Sequence, residues 1–111
     1  MKQRLASAPV EFRPTPQKLL AIIRRLANDS ANVAIGYHAL DRMEERGITT
    51  LDILRVLRAG DVIGKIEAGK NLGEWKCKVV ERRKRARDIG VATVVMKDSR
   101  LFIKTVEWED K

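Results

Sequence analysis

The sequence has little of the residues that build metal sites and covalent cross-links. Cys77 is the only cysteine and His38 is the only histidine. An intramolecular disulfide, a cysteine-based metal cluster and an ordinary two-histidine zinc or catalytic pair are therefore excluded. We expect no metal ion and no cofactor.

Long apolar runs are also missing. No stretch approaches the roughly 20 consecutive apolar residues that a membrane-spanning helix needs. The first nine residues are basic and end in small side chains, but they lack the apolar segment of a secretory signal. We expect a cytoplasmic protein with no membrane partner.

Positive charge is what the chain has in excess. Its 111 residues include 23 Lys and Arg against 15 Asp and Glu, a formal net charge of +8. An excess of this size attracts polyanions and acidic proteins and says nothing about fold. Aromatic residues make up only 5% of the chain, so the core has to be built from aliphatic side chains.

The length suits one domain, and a change of pattern near its start separates an arm from it. Residues 1–13 show no hydrophobic periodicity and contain Pro9. We expect a flexible N-terminal arm there and a single domain over 14–111.

Three amphipathic helices are predicted in the first half of the chain. Capping residues mark the starts of the first and third helices, and glycines mark the ends of the second and third. In the second helix, Tyr37, Leu40 and Met43 are expected to face the core. The predicted helices begin at Thr15–Pro16, Tyr37 and Thr49 or Thr50, and the last two end at Gly47 and Gly60.

After Gly60 the hydrophobic period changes to that of strands. Residues 74–80 alternate, and 89–96 are nearly all apolar, which is typical of a central strand. Further strands are predicted at 61–66 and 101–108, with 33–35 as an extended link or an edge strand. The sequence therefore predicts an α+β fold with N-terminal helices packed on a three- to four-stranded antiparallel sheet.

The second helix carries the most informative side chains. His38, Arg42 and Glu45 share one face, with Arg46 at its margin. An imidazole beside two guanidinium groups suits proton transfer on a phosphodiester whose oxygens the arginines hold. An exposed face with ion pairs such as Asp41–Arg46 or Arg42–Glu45 explains the same residues.

Lysines on the predicted strands form a second candidate group. The alternation places Lys76 and Lys78 on one face, and Lys104 is expected on the face of Phe102 and Val106. On adjacent strands, Lys76, Lys78 and Lys104 would make a basic stripe that holds an RNA backbone and stabilises a phosphorane-like transition state. A solvent-facing surface kept soluble by lysine is the alternative.

Two charged segments lie between and after the last strands. A basic hairpin segment can grip phosphates or an acidic partner, or can simply be solvated. The carboxylates of Glu107 and Glu109 can pair with the basic sheet, one of them can act as a base, or they can simply neutralise the last strand. Cys77 is expected to be a small buried hydrophobe. The candidate RNA-binding residues of the hairpin are Arg82, Arg83, Lys84, Arg85 and Arg87.

Several of these segments resemble an uncharacterised group of small bacterial and phage proteins. The first is His38-Ala39-x-x-Arg42-Met43-x-x-Arg46-Gly47-Ile48, followed by a leucine-rich helix that ends at Gly60. Residues 73–78 and 102–110 resemble the later motifs of the group, so the resemblance covers 33–110. The group is itself similar to the RelE and MqsR toxins of the barnase/EndoU/colicin/RelE nuclease class.

This resemblance implies a RelE/MqsR-like fold and the toxin of a type II toxin–antitoxin system. Such a toxin is a metal-independent endoribonuclease that cuts mRNA, on or off the ribosome, through attack by the 2′-hydroxyl. Its partner is a cognate antitoxin, often a helix-turn-helix protein. A tyrosine or glutamine at the MqsR-like strand positions is missing. The catalytic candidates are His38, Arg42 and Arg46, followed by Lys76, Lys78 and Lys104.

Two other functions remain open at this stage. One is a non-catalytic RNA- or DNA-binding module whose affinity comes from the basic hairpin. The other is a partner-binding protein whose basic surface docks an acidic chain.

Overall fold

The structure is a computed structural model that describes residues 13–83 and 86–109. Residues 1–12 of the predicted arm, and Lys84 and Arg85 of the basic hairpin, lie outside the described residues. A short 3-10 helix (Ser30–Asn32) precedes the first strand. The helices and strands, in chain order, are α1 (Pro16–Ala27), β1 (Val33–Ile35), α2 (Tyr37–Arg46), α3 (Thr50–Ala59), β2 (Asp61–Ala68), β3 (Trp75–Glu81), β4 (Ile89–Val95) and β5 (Leu101–Trp108).

Local capping chemistry sets the ends of the helices, as the sequence predicts. The Thr15 side chain accepts a hydrogen bond from the Lys18 amide at 3.2 Å and begins α1. Gly47 ends α2 in the left-handed conformation, at φ 68°. At α3 the capping box is complete, because Asp52 N donates to Thr49 Oγ1 (3.1 Å) and Thr49 N donates to Asp52 Oδ2 (2.9 Å).

The sheet is larger than expected. Five strands lie in the order β1-β5-β4-β3-β2, and β1 runs parallel to β5 while the other pairs are antiparallel. The α+β class is confirmed, but the prediction of three or four antiparallel strands is wrong. The added strand, Val33–Ile35, has only three residues, too few for a period-2 pattern, and nothing local reveals its pairing with the last strand.

The core lies between one face of the sheet and the pair α1 and α3. Ile23 of α1, Leu57 of α3 and Val91 of β4 are fully buried there, and the core is aliphatic, as the scarcity of aromatics requires. Cys77 and Val79 of β3 point to the same side. The side chains between them point to the opposite face, called the open face below.

Helix α2 runs alongside the second half of β5, beyond the end of β1. The Gly36 amide donates to the Ile103 carbonyl at 3.0 Å, and Trp108 Nε1 donates to the Arg46 carbonyl at 3.0 Å. The two contacts fix the two ends of the helix on the last strand. None of the helices in the described ranges has the length and apolar character needed to cross a bilayer.

The buried side of α2 differs from the prediction. Tyr37 and Leu40, expected in the core, are 89% and 45% exposed, whereas Ala39 is fully buried and Met43 packs against the core. The small Ala39 side chain lets the helix approach β5 closely, which turns the larger apolar residues of its first turn outward.

A β-bulge changes the alternation of β5. Ala92 pairs with Thr105 and Thr93 pairs with Ile103, so Lys104 is the extra residue. A bulge reverses the direction in which the following side chains point. Val106 is therefore in the core and Phe102 is on the open face, and the expectation that Lys104 shares one face with both is wrong.

Candidate functional site

The open face holds a groove of about 660 Å³. Its floor is formed by β3, β4 and β5, one wall by the start of α2, and the other wall by the middle of β2. Its basic lining residues are His38, Lys65, Lys76, Lys78 and Lys104. Four of the six predicted catalytic residues thus line one concave surface, and we call it the groove.

The cross-strand register fixes the rows of the floor. Lys76 of β3 lies level with Val94 of β4 and Phe102 of β5, and Lys78 lies level with Ala92 and Thr105. The expectation that the lysines lie on adjacent strands is wrong, because β4 separates β3 from β5. The two strands are therefore on the order of 10 Å apart, and small apolar side chains fill the space between the cations.

Gly36 determines how His38 reaches the groove. A β-carbon at residue 36 would lie 2.6 Å from Cζ of Phe102, so with any side chain there the Phe102 ring would have to move for α2 to begin at this place. Two residues later, His38 is exposed and lines the wall above the floor. The only imidazole of the chain is accessible to a ligand in the groove.

Lys78 is held by two carboxylates. Its Nζ lies 3.0 Å from Glu107 Oε2 and 3.0 Å from Glu109 Oε2. Hydrogen bonds to Glu107 and then to Glu109 raise the pKa of the Lys78 ammonium group, while a hydrogen bond with Glu109 and then one from Lys78 lower the pKa of the Glu107 carboxyl. The C-terminal carboxylates thus pair with the basic sheet, one of the three roles open from the sequence.

The other lysines of the groove differ in their partners. Lys76 Nζ lies 3.3 Å from Glu67 Oε1, an exposed pair of the kind that is weak in water. Lys65 and Lys104 have no ion pair within the described part of the chain. Among the described residues, the lysines of the groove without an ion-pair partner are therefore one on the β2 wall and one on the β5 part of the floor.

The two candidate arginines of α2 do not line the groove. Arg42 forms an ion pair with Glu45, and Arg46 Nη1 lies 3.9 Å from Glu45 Oε1. Arg46 Nη1 is also buried without a hydrogen-bond partner in the described residues. Arg42 and Arg46 thus lie on an ion-paired helix face, which is the alternative that the sequence left open for them. His38 instead lines the groove.

The basic hairpin lies beyond the end of the groove. Arg83 N donates to Asp88 Oδ1 at 2.8 Å and Arg83 Nε donates to the Arg87 carbonyl at 3.1 Å. The Arg87 guanidinium lies 4.6 Å from the centroid of the Trp108 ring, a cation–π distance. Arg82 is exposed, and Lys84 and Arg85 lie outside the described residues.

The N-terminal side of the described chain contacts the edge of the sheet. Arg13, the last residue of the predicted arm, donates through Nη1 to the Ile66 carbonyl. Its guanidinium lies 5.8 Å from the centroid of the Trp75 ring. Trp75 is partly buried and packs against the core.

Sequence reasoning missed Lys65 and the role of the loop that follows β2. Gly64, at φ 80°, lies within a register shift of β2 between Ile63 and Glu67, and this shift brings Lys65 to the groove. A glycine inside a strand pattern signals such an irregularity. The loop over 69–74 borders a second cavity of about 410 Å³, which shares Lys76, Phe102 and Lys104 with the groove.

Cys77 is on the core side of β3, as expected. It is buried, and its burial raises the pKa of the thiol to about 11, so it is a packing residue and a poor nucleophile. In the described ranges no three His, Cys, Asp or Glu residues cluster in a way that could hold a metal ion.

Comparison with known proteins identifies a family and leaves its activity open. No curated protein and no solved structure shows a significant match to the chain, so the RelE and MqsR resemblance stays a prediction. The family described as "Domain of unknown function (DUF4258)" matches residues 35–108, from the end of β1 to the end of β5. This range includes every lining residue of the groove and fits the expected uncharacterised family of small proteins. The chain belongs to the DUF4258 family.

Proposed function

We propose that this protein binds single-stranded RNA in the groove and cleaves it without a metal ion, as the mRNA-cutting toxin of a type II toxin–antitoxin pair. The observation that supports this most is that His38, the only histidine, lines the same groove as Lys76 and Lys104. One proton-transfer group and several cations are what cleavage by the 2′-hydroxyl of RNA requires.

The reaction follows from these roles. The imidazole of His38 accepts the proton of a ribose 2′-hydroxyl, whose oxygen attacks the adjacent phosphorus. The bond from phosphorus to the 5′-oxygen breaks, and that oxygen takes up a proton from solvent. Lys104 and Lys76 stabilise the negative charge that grows on the phosphate oxygens. The products are a 2′,3′-cyclic phosphate and a 5′-hydroxyl.

The shape of the groove favours a single strand. Phe102 lies on the floor, in the same cross-strand row as Lys76 and on the same strand as Lys104, and an aromatic ring gives a stacking surface for any base. Lys65 on one wall and Lys104 on the floor are the cations left for the backbone phosphates.

Purified protein and an unstructured RNA provide the test. Cleavage in the presence of EDTA, with cyclic phosphate ends, is the expected result. His38→Gln should abolish cleavage and leave RNA binding within about twofold, because glutamine can hydrogen bond but cannot exchange a proton at neutral pH. Lys18→Gln, a change at an exposed position of α1 that does not line the groove, is the control and should cleave normally. RNA that stays intact with the wild-type protein, with and without ribosomes, contradicts the proposal.

The cellular part of the proposal has a separate test. Expression should arrest growth, and a co-expressed neighbouring antitoxin, expected to be a helix-turn-helix protein, should relieve the arrest. His38→Gln should not arrest growth. An acidic partner that binds the chain without any toxicity would instead support the partner-binding function.

A second candidate function is RNA binding without cleavage. It is favoured by the pairing of Lys78 with Glu107 and Glu109, which removes one cation from phosphate chemistry. The arginines of α2 are also outside the groove. This function predicts steeply salt-dependent binding that is the same in wild type and His38→Gln, with no cleavage by either.

A further inference from the structure

The loop over 69–74 is built around one carboxylate. The Gly69 amide donates to the Glu74 carbonyl at 2.7 Å, and the Glu74 amide donates to the Asn71 carbonyl at 3.1 Å. A β-carbon at residue 69 would lie 2.8 Å from Cβ of Glu74, and Gly73 adopts φ 87°. Glycines at both positions let the loop close over Glu74, which is only 4% exposed.

Among the described residues, one oxygen of the Glu74 carboxylate accepts hydrogen bonds and the other accepts none. Glu74 Oε1 accepts hydrogen bonds from Asn71 N (3.3 Å) and Asn71 Nδ2 (3.1 Å). Within the described residues, no donor or cation contacts Glu74 Oε2, and no donor contacts Asn71 Oδ1. Arg46 Nη1 is the one described buried side-chain atom that is sealed from solvent without a partner, so Glu74 Oε2 keeps access to solvent.

Glu74 and Asn71 line the cavity of about 410 Å³. Its apolar lining residues are Ala68, Val94, Met96 and Phe102, and its basic ones are Lys70, Lys76 and Lys104. Among the described residues, none of these lysines forms an ion pair with Glu74. A buried carboxylate that lacks a cation is costly unless donors satisfy it. A flat ligand with apolar faces and a donor edge matches this surface in shape and in hydrogen bonding.

We infer that this cavity, the base pocket, binds a guanine of the RNA strand through Glu74 and Asn71. The inference rests on the proposed RNA binding and adds a base preference to it. Guanine presents two adjacent donors, N1–H and N2–H, to two acceptors. Adenine and cytosine present a ring-nitrogen acceptor beside their amino group, and uracil flanks its one N–H with carbonyl oxygens. Each of these leaves an acceptor facing an acceptor, which is costly when buried.

The position of the base pocket makes the guanine a neighbour of the cleavage site. The pocket and the groove share Lys76, Phe102 and Lys104. A base in the pocket can stack on Phe102 while its phosphate lies on the shared lysines. Glu74 and Asn71 are thus specificity residues, and His38 lies on the other side of the shared boundary.

The test compares RNA heptamers that differ in one central base. Seven-nucleotide uridine RNAs with a central guanosine, adenosine, cytidine, inosine or 1-methylguanosine are titrated by fluorescence anisotropy. His38→Gln protein is used so that the RNA stays intact. We expect guanosine to bind at least about fivefold more tightly than adenosine. Inosine, which lacks the N2 amino group, should be intermediate, and 1-methylguanosine, which lacks the N1 donor, should lose the advantage.

Glu74→Gln, added to that protein, changes one hydrogen-bonding atom of the pocket from an acceptor to a donor. Its oxygen can keep the two Asn71 hydrogen bonds, while its nitrogen replaces an acceptor with a donor. We expect the guanosine preference to disappear and adenosine to bind at least as tightly. Glu67→Gln, a matched change in the groove and outside the base pocket, should change all affinities together and keep the preference.

The outcomes separate the two proposals. If the heptamers bind with no base preference, or if 1-methylguanosine binds as guanosine does, the base pocket is wrong and RNA binding stands. An unchanged preference in Glu74→Gln also overturns it. If no heptamer binds, RNA binding in the groove fails, and the base pocket fails with it. The modified guanosines keep the test valid even if Glu74→Gln does not fold.

Discussion

Gly90 of β4 and Glu109 occupy neighbouring space on the open face, where a β-carbon at residue 90 would lie 2.5 Å from Glu109 Oε2. The Glu109 carboxylate reaches Lys78 Nζ at 3.0 Å across this position. Because Gly90 has no side chain, the Glu109 carboxylate has room to form an ion pair with Lys78 of the groove.

Gly90→Ala should release Lys78 from Glu109. The atom that the new methyl group meets is the end of a flexible side chain, so the carboxylate moves and the fold should lose less than about 1 kcal/mol. RNA affinity at low salt should rise about two- to fivefold, because Lys78 then has one carboxylate partner, Glu107, instead of two and the floor is less acidic. Anisotropy with a uridine heptamer measures it. Glu109→Gln should give a similar gain, and a gain in Glu109→Gln alone would show that Gly90 does not control the contact.

The cluster of Lys78, Glu107 and Glu109 should make stability depend on pH in acid. The pKa of Glu107 is lowered in the folded state, by a hydrogen bond with Glu109 and then by Lys78. The stability that the Glu107 carboxylate contributes is therefore present above the pKa that this group has in the unfolded chain. It is lost as the pH falls through the lower pKa of the folded protein, below about pH 4. Urea denaturation should show a shallower acid decline for Glu107→Gln than for wild type. Equal declines would show that other carboxyls dominate.

The same cluster should make stability fall as the pH rises in alkali. Hydrogen bonds to Glu107 and then Glu109 raise the pKa of Lys78. The stability from this group is complete below the unfolded pKa and is lost as the pH rises through the folded pKa, above about pH 10. The side chains are partly exposed, so the loss should be below about 1 kcal/mol. Lys78→Met should remove this part of the alkaline decline, and Lys18→Met, a change outside the cluster, should leave it.

Lys104 should contribute one phosphate contact. Lys104→Gln is expected to weaken RNA binding for all sequences and to reduce the slope of log K against log salt by about 0.7, the value for one contact with a single strand. Titrations at four salt concentrations measure this slope. Lys18→Gln on α1, in the helix layer across the sheet, should leave the slope unchanged. Equal slopes for wild type and Lys104→Gln would place the backbone elsewhere.

Cys77 should report unfolding. Burial raises its pKa from 9.0 to about 11, so near pH 8 its thiolate fraction is about a hundredfold smaller than in the unfolded chain. Iodoacetamide should label it at least about 100-fold more slowly in the folded protein than in concentrated urea. Because the chain has no other cysteine, the measured rate belongs to this site. Equal rates would mean that β3 opens readily.

Local signals in the sequence were enough to predict the helices and most of the strands. The Thr49–Asp52 capping box, the stop at Gly47 and the alternation around Cys77 are short-range, and the structure has all of them. Long-range pairing was not predictable in the same way. Nothing near Val33 indicates Leu101 as its partner, and an extra residue at Lys104 is invisible in a single strand.

The candidate site was predictable in part for the same reason. The alternation in β3 predicted that Lys76 and Lys78 share a face, and the helical period placed Arg42 near Glu45. The groove itself depends on the direction of α2 against β5 and on the bulge, so no periodicity could show that His38 meets Lys104. The ordered contacts of Glu74 were missed because a stretch rich in glycine predicts only a loop.

The place of β5 between β1 and β4 has a consequence for folding. β1 and α2 lie in the first half of the chain. The strand that anchors both, β5, is the last of the described elements to be synthesised. Pairing so distant in sequence closes slowly, because chain entropy must be lost before the contacts form. A nascent chain that ends before Leu101 has His38 but lacks the strand of the floor that anchors α2 and carries Lys104. The last strand thus delays assembly of the groove until the rest of the domain has been synthesised.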